Sequence, residues 1–383
     1  MSTTVPSPTS LRSLLGGGQG WAYLLVPFIP IAVALDVAGA SAPFVFFASA
    51  LGVIPTAALM GRATEELADR AGPGIGGLLN VTFGNAPELI IALFTLGEGL
   101  HEVVKASLIG SILGNTLLVL GAAMFFGGLK VDRRGGQSFN RTAASAQSSM
   151  LLLAAAAMLM PAIFELIEGQ GLPSPGAERV DYGSTVEQLS FAVAVVLILS
   201  YVAGLVFSLR THRDLFNPEV AEEEAEARSQ PWSVRRSVVF LAIAGALVGL
   251  MSEILVGSIS KAAHDVGLSE FFIGVIVVAI VGNAAEHWVA VLVARKDKMD
   301  LAVNIAIGSS AQIALFVAPV LVLVSFVLGP FPMPLVFNGL ELGAIFLAVI
   351  IAIHVTNEGE STWYEGLQLL AVYLVLAIAF FVA

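Results

Sequence analysis

The chain has no cysteine, and only 12% of its 383 residues are charged. Without cysteine there are no disulfides, no thiolate nucleophiles and no thiolate metal ligands. A soluble globular domain carries about 25% charged residues, so a water-soluble fold is excluded. Basic residues are scarce too, 18 Lys and Arg against 29 Asp and Glu, for a net charge of −11. That balance argues against a nucleic-acid partner and is compatible with cations as cargo. What fills the chain instead is apolar: 57% hydrophobic residues, with a mean hydropathy of +0.89.

The apolar residues fall into runs long enough to span a bilayer, which takes about 20 residues each. Long unbroken runs with many Gly and Pro exclude a transmembrane barrel, whose strands would alternate. The pattern predicts an all-α polytopic membrane protein of about eleven helices. Residues 1–20 form a polar tail, and 21–40 form an extra N-terminal span, longer than the core of a secretory signal. The remaining spans divide into a first group of five over 43–209, an acidic linker over 210–235, and a second group of five over 236–383. With an inside N-terminus, fifteen of the eighteen Lys and Arg fall on the cytoplasmic side. Only Lys105, Arg179 and Lys261 fall outside. That bias predicts N-in and C-out, and the short tails suit a prokaryotic plasma membrane.

Two apolar spans carry a carboxylate and a carboxamide in the same local sequence: Gly84-Asn85-Ala86-Pro87-Glu88 and Gly282-Asn283-Ala284-Ala285-Glu286. A charge at the bilayer centre costs about 2.5–3.5 kcal/mol even on the mild insertion scale. Sliding the chain by 198 residues aligns more than these motifs. Gly110-Ser111 meets Gly308-Ser309, and Phe139-Asn140 meets Phe337-Asn338. Biased composition yields chance matches of Ala or Leu, not of Asn and Glu. Because the two motif spans run in opposite directions, the halves are inverted repeats. Such repeats place a substrate site near the midplane where they meet, which points to a secondary transporter rather than an enzyme.

On a helix Asn85 and Glu88 share a face, and Gly84 and Gly282 admit a close neighbour. Pro87 cannot donate to the Phe83 carbonyl, which predicts a free oxygen there. Ser111 and Ser309 return on the next span at similar depth, with Gln312 on the face of Ser309. All of these are hard oxygen donors. They suit Ca2+, which takes 6–8 oxygens in flexible geometry, better than Mg2+, and they also admit Mn2+. Two buried carboxylates repel one another and lack hydration, so protons take the place a cation leaves. Glu65 and Glu253, nearer the ends of their spans, are candidates to extend the proton path. No Lys or Arg lies in either motif span to make Glu88 or Glu286 a mere ion pair. His287 would point about 100° away from Glu286 and reads as a packed or hydrogen-bonded residue. Ser111 and Ser309 have no histidine at their depth, so an intramembrane hydrolase is not indicated.

The paired Gly-Asn-Ala-x-Glu motifs, each followed by Gly-Ser on the next span, resemble the cation/proton exchanger branch of the calcium/cation antiporter superfamily. That resemblance covers about residues 40–383. It implies Ca2+ and H+ as the exchanged ions, with Glu88 and Glu286 coordinating Ca2+ and with no cofactor. The sodium-coupled branch typically has Gly-Thr-Ser before Pro-Glu, so Gly-Asn-Ala in both halves favours protons. A sodium-coupled exchanger and a passive divalent-cation channel are the alternatives. Glu222, Glu223 and Glu224 in the acidic linker are candidates for a regulatory cation sensor, and a homo-oligomer is compatible with the sequence.

Overall fold

The computed structural model describes residues 20–131, 136–169, 171–175, 183–211 and 232–383. Eleven helical segments are long and apolar enough to cross a membrane, counting one bent pair as a single span. They are α1 (Gly20–Val37), α2 (Ala42–Ala71), α3 (Leu78–Gly84 with Ala86–Gly97), α4 (His101–Lys130), α5 (Arg141–Ile167), α6 (Ser184–Thr211), α7 (Val234–Val266), α8 (Glu270–Ala294), α9 (Met299–Ser325), α10 (Gly339–Thr356) and α11 (Trp363–Val382). The fold is all-helical; the described sheet structure is one two-stranded antiparallel pair, β1 (Gln137–Ser138) with β2 (Glu360–Ser361). Glu222, Glu223 and Glu224 lie outside the described residues.

Helix starts explain one of the repeated sequence pairs. Asn140 caps α5, its side chain accepting from the Thr142 and Ala143 amides. Asn338 caps α10 in the same way and forms a capping box with Glu341. A carboxamide there satisfies amides that a helix end otherwise leaves without partners. Phe139-Asn140 and Phe337-Asn338 therefore match because each opens a helix.

Helical hydrogen bonding runs on from α2 to Gly84, yet the chain turns between them. A Cβ on Gly76 would strike the Ala68 carbonyl, although a straight helix separates such positions by about 12 Å at 1.5 Å per residue. α3 then bends by 42° between Gly84 and Ala86. The break falls on Asn85, with φ −101° and ψ 22°.

Packing divides the apolar interior. One cluster joins α1, α2 and α7 through Ala32, Phe46, Val53, Met251 and Ile259. A larger one joins α4, α5, α6, α8, α9, α10 and α11. Near the C-terminal end of α2, the guanidinium groups of Arg62 and Arg236 lie over the Trp232 ring, 5.2 and 4.5 Å from its centroid. Its backbone amide donates to Glu66. Lys105, expected in an outer loop, is instead 1% exposed. It pairs with Glu102 at 2.6 Å and donates to the Val336 carbonyl, since a buried ammonium is tolerated only when partnered.

At the centre α4 crosses α8 on glycine. A Cβ on Gly110 would collide with the Val275 carbonyl, and one on Gly274 would come within 3.0 Å of Ala106 Cβ and of the Val103 carbonyl. Ser310 meets Ile112 nearby, its hydroxyl 3.4 Å from the carbonyl of the residue 198 positions earlier. The positions related by the sequence repeat thus touch at mid-molecule. Gly110→Ala is expected to destabilise by about 1–3 kcal/mol through overpacking, lowering the thermal midpoint in detergent. Gly257→Ala, where an added Cβ meets nothing within 4 Å, is expected to be neutral or stabilising by up to about 1 kcal/mol.

Candidate functional site

Glu88 and Glu286 line one cavity of about 350 Å³. Glu88 sits in the first turn of the helix Ala86–Gly97 that begins after the break, where the N-terminal end of the dipole favours negative charge. Glu286 lies inside the continuous helix Ala279–Ala294 of α8. The two helices approach where Gly282 leaves room. A Cβ there would come 3.3 Å from Glu88 Cγ and 3.6 Å from its Oε1. Gly84 has no such neighbour within 4 Å. It faces the cavity and does not serve close packing, so the glycines of the two motifs do different things.

The motif carboxamides bond to neighbouring helices rather than to the carboxylates. Asn85, 2% exposed, donates through Nδ2 to Gln312 Oε1 at 2.6 Å. Asn283, fully buried, donates to Ser111 Oγ at 3.2 Å and to the Ala279 carbonyl at 2.9 Å. Ser309 Oγ donates to Glu286 Oε2 at 3.3 Å. Among the described residues Asn85 Oδ1, Asn283 Oδ1 and Glu88 Oε2 are buried without a hydrogen-bond partner. Buried acceptors left open in a native structure call for a donor, a water or an ion. Gln312, Ser309, Gly84 and Gly282 reach the cavity wall, whereas Asn85, Asn283 and Ser111 do not form part of it.

Several expectations need correction. The Phe83 oxygen accepts from the Asn85 amide; the break has moved to Asn85, so Pro87 does not leave that carbonyl free. Glu65 does line the cavity, but Glu253 is exposed and absent from its wall. His287 is held by Asn115, with Nε2 3.2 Å from Oδ1, as its direction on the helix predicts.

Two features were missed. Among the described residues five π-helical stretches flank the site: Gly114–Val119 in α4, Phe207–Thr211 in α6, Ile273–Val278 in α8, and Asn304–Gly308 and Ile313–Val317 in α9. Such insertions are frequent at functional sites, and those in α4 and at the end of α9 fall at equivalent repeat positions. The second feature is a carboxamide pair inside the cavity, Gln147 Nε2 donating to Asn304 Oδ1 at 2.6 Å. The sequence signal was present, since Gln147 and Asn304 are polar residues in apolar spans. Neither has a polar partner 198 positions away, so the repeat did not reveal them.

The family model described as sodium/calcium exchanger protein matches residues 41–210 and 236–382. A Ca(2+)/H(+) antiporter of Synechocystis sp. is 45% identical over 376 residues, spanning 94% of this chain and 96% of that protein. The Ca(2+)/H(+) antiporter ChaA of Bacillus subtilis is also 45% identical, over 359 residues, spanning 94% and 97%. The solved structure of native YfkE superposes with a TM-score of 0.78 at 40% identity, over 94% of this chain and 100% of that one. The chain belongs to the sodium/calcium exchanger protein family.

Proposed function

We propose that the chain is a multi-pass membrane antiporter exchanging Ca2+ for H+, with Glu88 and Glu286 as the shared site. The observation that carries the site assignment is that the two carboxylates, 198 residues apart in sequence, line one cavity over the gap at Gly282. Ser309 and Gln312 add neutral oxygens on the cavity wall, and Asn85 and Asn283 fix the motif helices to α9 and α4. Ca2+ accepts such a mixed, adaptable oxygen shell, and Mn2+ is a second cargo by the same donor chemistry. Two carboxylates neutralise one divalent cation or bind two protons, which makes exchange a competition for one place.

The cavity wall includes Thr64 and Glu65 of α2 and Ser208 and Leu209 of α6. These are the helix ends next to Arg62 and Arg210, which the positive-inside bias assigns to the cytoplasm. In this reading the N-terminus is inside, and the molecule stands open to the cytoplasm. Residues 43–209 and 236–383 are the inverted halves. The outer route is closed where α4 crosses α8 at Gly110 and Gly274. Alternating access then moves the closed crossing to the other side of a fixed site. Glu65, on the cavity wall, is the one of the two outlying glutamates placed to pass protons toward the cytoplasmic mouth.

Glu88→Gln and Glu286→Gln are each expected to abolish proton-driven 45Ca2+ uptake in proteoliposomes, since a single carboxylate leaves a divalent charge half compensated. Uptake at the unaltered rate by either variant would refute the shared site. Imposing a sodium gradient in place of the pH gradient is expected to drive no uptake. Binding is also expected to be competitive with protons, because ligands must be deprotonated to hold the ion. If both carboxylates are protonated in the empty site, apparent Ca2+ affinity falls by up to about 100-fold per pH unit on the acid side. Equilibrium Ca2+ binding measured from pH 5 to 8 reads this directly, and a pH-independent affinity would exclude competition.

A further inference from the structure

We propose that Gln147 and Asn304 form a second cation station in the inner half of the cavity, a neutral carboxamide site that takes a partly hydrated divalent cation between the cytoplasmic mouth and the two glutamates. The inference rests on the calcium/proton reading above and adds a separate site to it.

Four observations converge. Gln147 is only 9% exposed, Asn304 is exposed, and both residues line the cavity. The pair bridges α5 and α9 at 2.6 Å through Gln147 Nε2 and Asn304 Oδ1. It lies next to the site because Gly308 makes space for it. A Cβ on Gly308 would come within 3.1 Å of Asn304 Oδ1 and 3.6 Å of Gln147 Nε2, and the following residue is Ser309, which bonds Glu286. The π-helical stretch Asn304–Gly308 ends at this point, and its i→i+5 spacing brings Asn304 and Ser309 toward a common face. Finally, Tyr201 lines the same cavity at 7% exposure, and its hydroxyl has no hydrogen-bond partner among the described residues. The chamber thus holds more polar capacity than the protein itself uses.

The pair is also one-sided. The positions 198 residues from Asn304 and Gln147 are Ala106 and Ile345, both fully buried and apolar. Ala106 packs under Gly274 in the closed crossing. A device that serves ions arriving from the cytoplasm is needed in one half of the repeat only. Carboxamides suit a station, since neutral oxygens replace some of the water around Ca2+ without holding it as carboxylates would. Opening the amide–amide bond, or turning one amide over, presents a carbonyl oxygen to the ion.

The test uses the full-length protein in oriented proteoliposomes, with 45Ca2+ offered from one face at a time. The double variant Gln147→Ala/Asn304→Ala is expected to raise KM for Ca2+ at the cytoplasmic face about fivefold, the weight of about one neutral polar contact. KM at the opposite face should stay within about twofold on the same scale. Equal shifts at both faces, or none at either, would overturn the station in favour of a structural staple. If the double variant does not fold, Gln147→Glu carries the test. It is near-isosteric, adds a carboxylate on the inner route, and should lower the cytoplasmic KM, whereas an unchanged or higher value overturns the proposal. Glu88→Gln is run alongside. Its loss of exchange from both faces reports on the central site alone, so failure of that reading and failure of the station are told apart.

Discussion

Two carboxylates at the centre of an apolar bundle constrain everything around them. A charged group in hydrocarbon persists only when partnered, hydrated or exchangeable. Lys105 shows what a permanent solution looks like in this chain: buried, ion-paired to Glu102 and bonded to a backbone carbonyl. Glu88 and Glu286 have no basic residue in their spans. They have instead a cavity and a glycine gap, and Glu286 has the Ser309 hydroxyl. The site is arranged to accept a positive charge and not to hold one of its own.

The repeat supplies symmetry, and the structure departs from it at identifiable residues. Gly282 carries the close approach of Glu88, while Gly84 opens on the cavity. The first motif helix breaks at Asn85, while the second continues through Asn283 and Glu286. Asn85 is held by Gln312, whose repeat position is Gly114, whereas Asn283 is held by Ser111. An ideal two-fold arrangement would have both entrances alike. These departures leave α4 and α8 packed tightly at Gly110 and Gly274 and a cavity beside the two glutamates, which fits the proposed alternating access.

Much of this was legible before any coordinate. Span number and order followed from hydropathy, because the bilayer demands long continuous apolar helices and tolerates few exceptions. The two glutamates stood out by their cost in that setting. What was not legible depended on three-dimensional spacing. Pro87 suggested a freed carbonyl, but the helix broke two residues earlier and the Asn85 amide took that oxygen. Glu253 looked equivalent to Glu65 by position, yet it faces outward from α7. The π-helical stretches leave no mark in residue type, so the registers that bring Asn304 toward Ser309 were invisible. Gln147 and Asn304 were visible as polar residues but unremarkable, because searching by repeat favours what occurs twice.

Charge arithmetic explains why the neutral partners matter. In the proposed exchange, two carboxylates would balance one Ca2+ and two protons would balance the same pair when it is empty, so both states of the site would be neutral. A third acid in the shell would leave a surplus negative charge in one state or the other, at a cost of several kcal/mol per uncompensated buried ion. Among the described residues no third acidic side chain joins the pair in a cluster able to hold a metal ion, although Glu65 lines the same cavity. The remaining coordination must then come from hydroxyls, carboxamides, carbonyls and water, which is what Ser309 and Gln312 offer on the cavity wall. Neutrality in both states lets the helices move past the site without carrying net charge through hydrocarbon. On this argument the carboxamides are not substitutes for missing acids. They are the donors that complete an ion's shell while keeping the exchange electrostatically level.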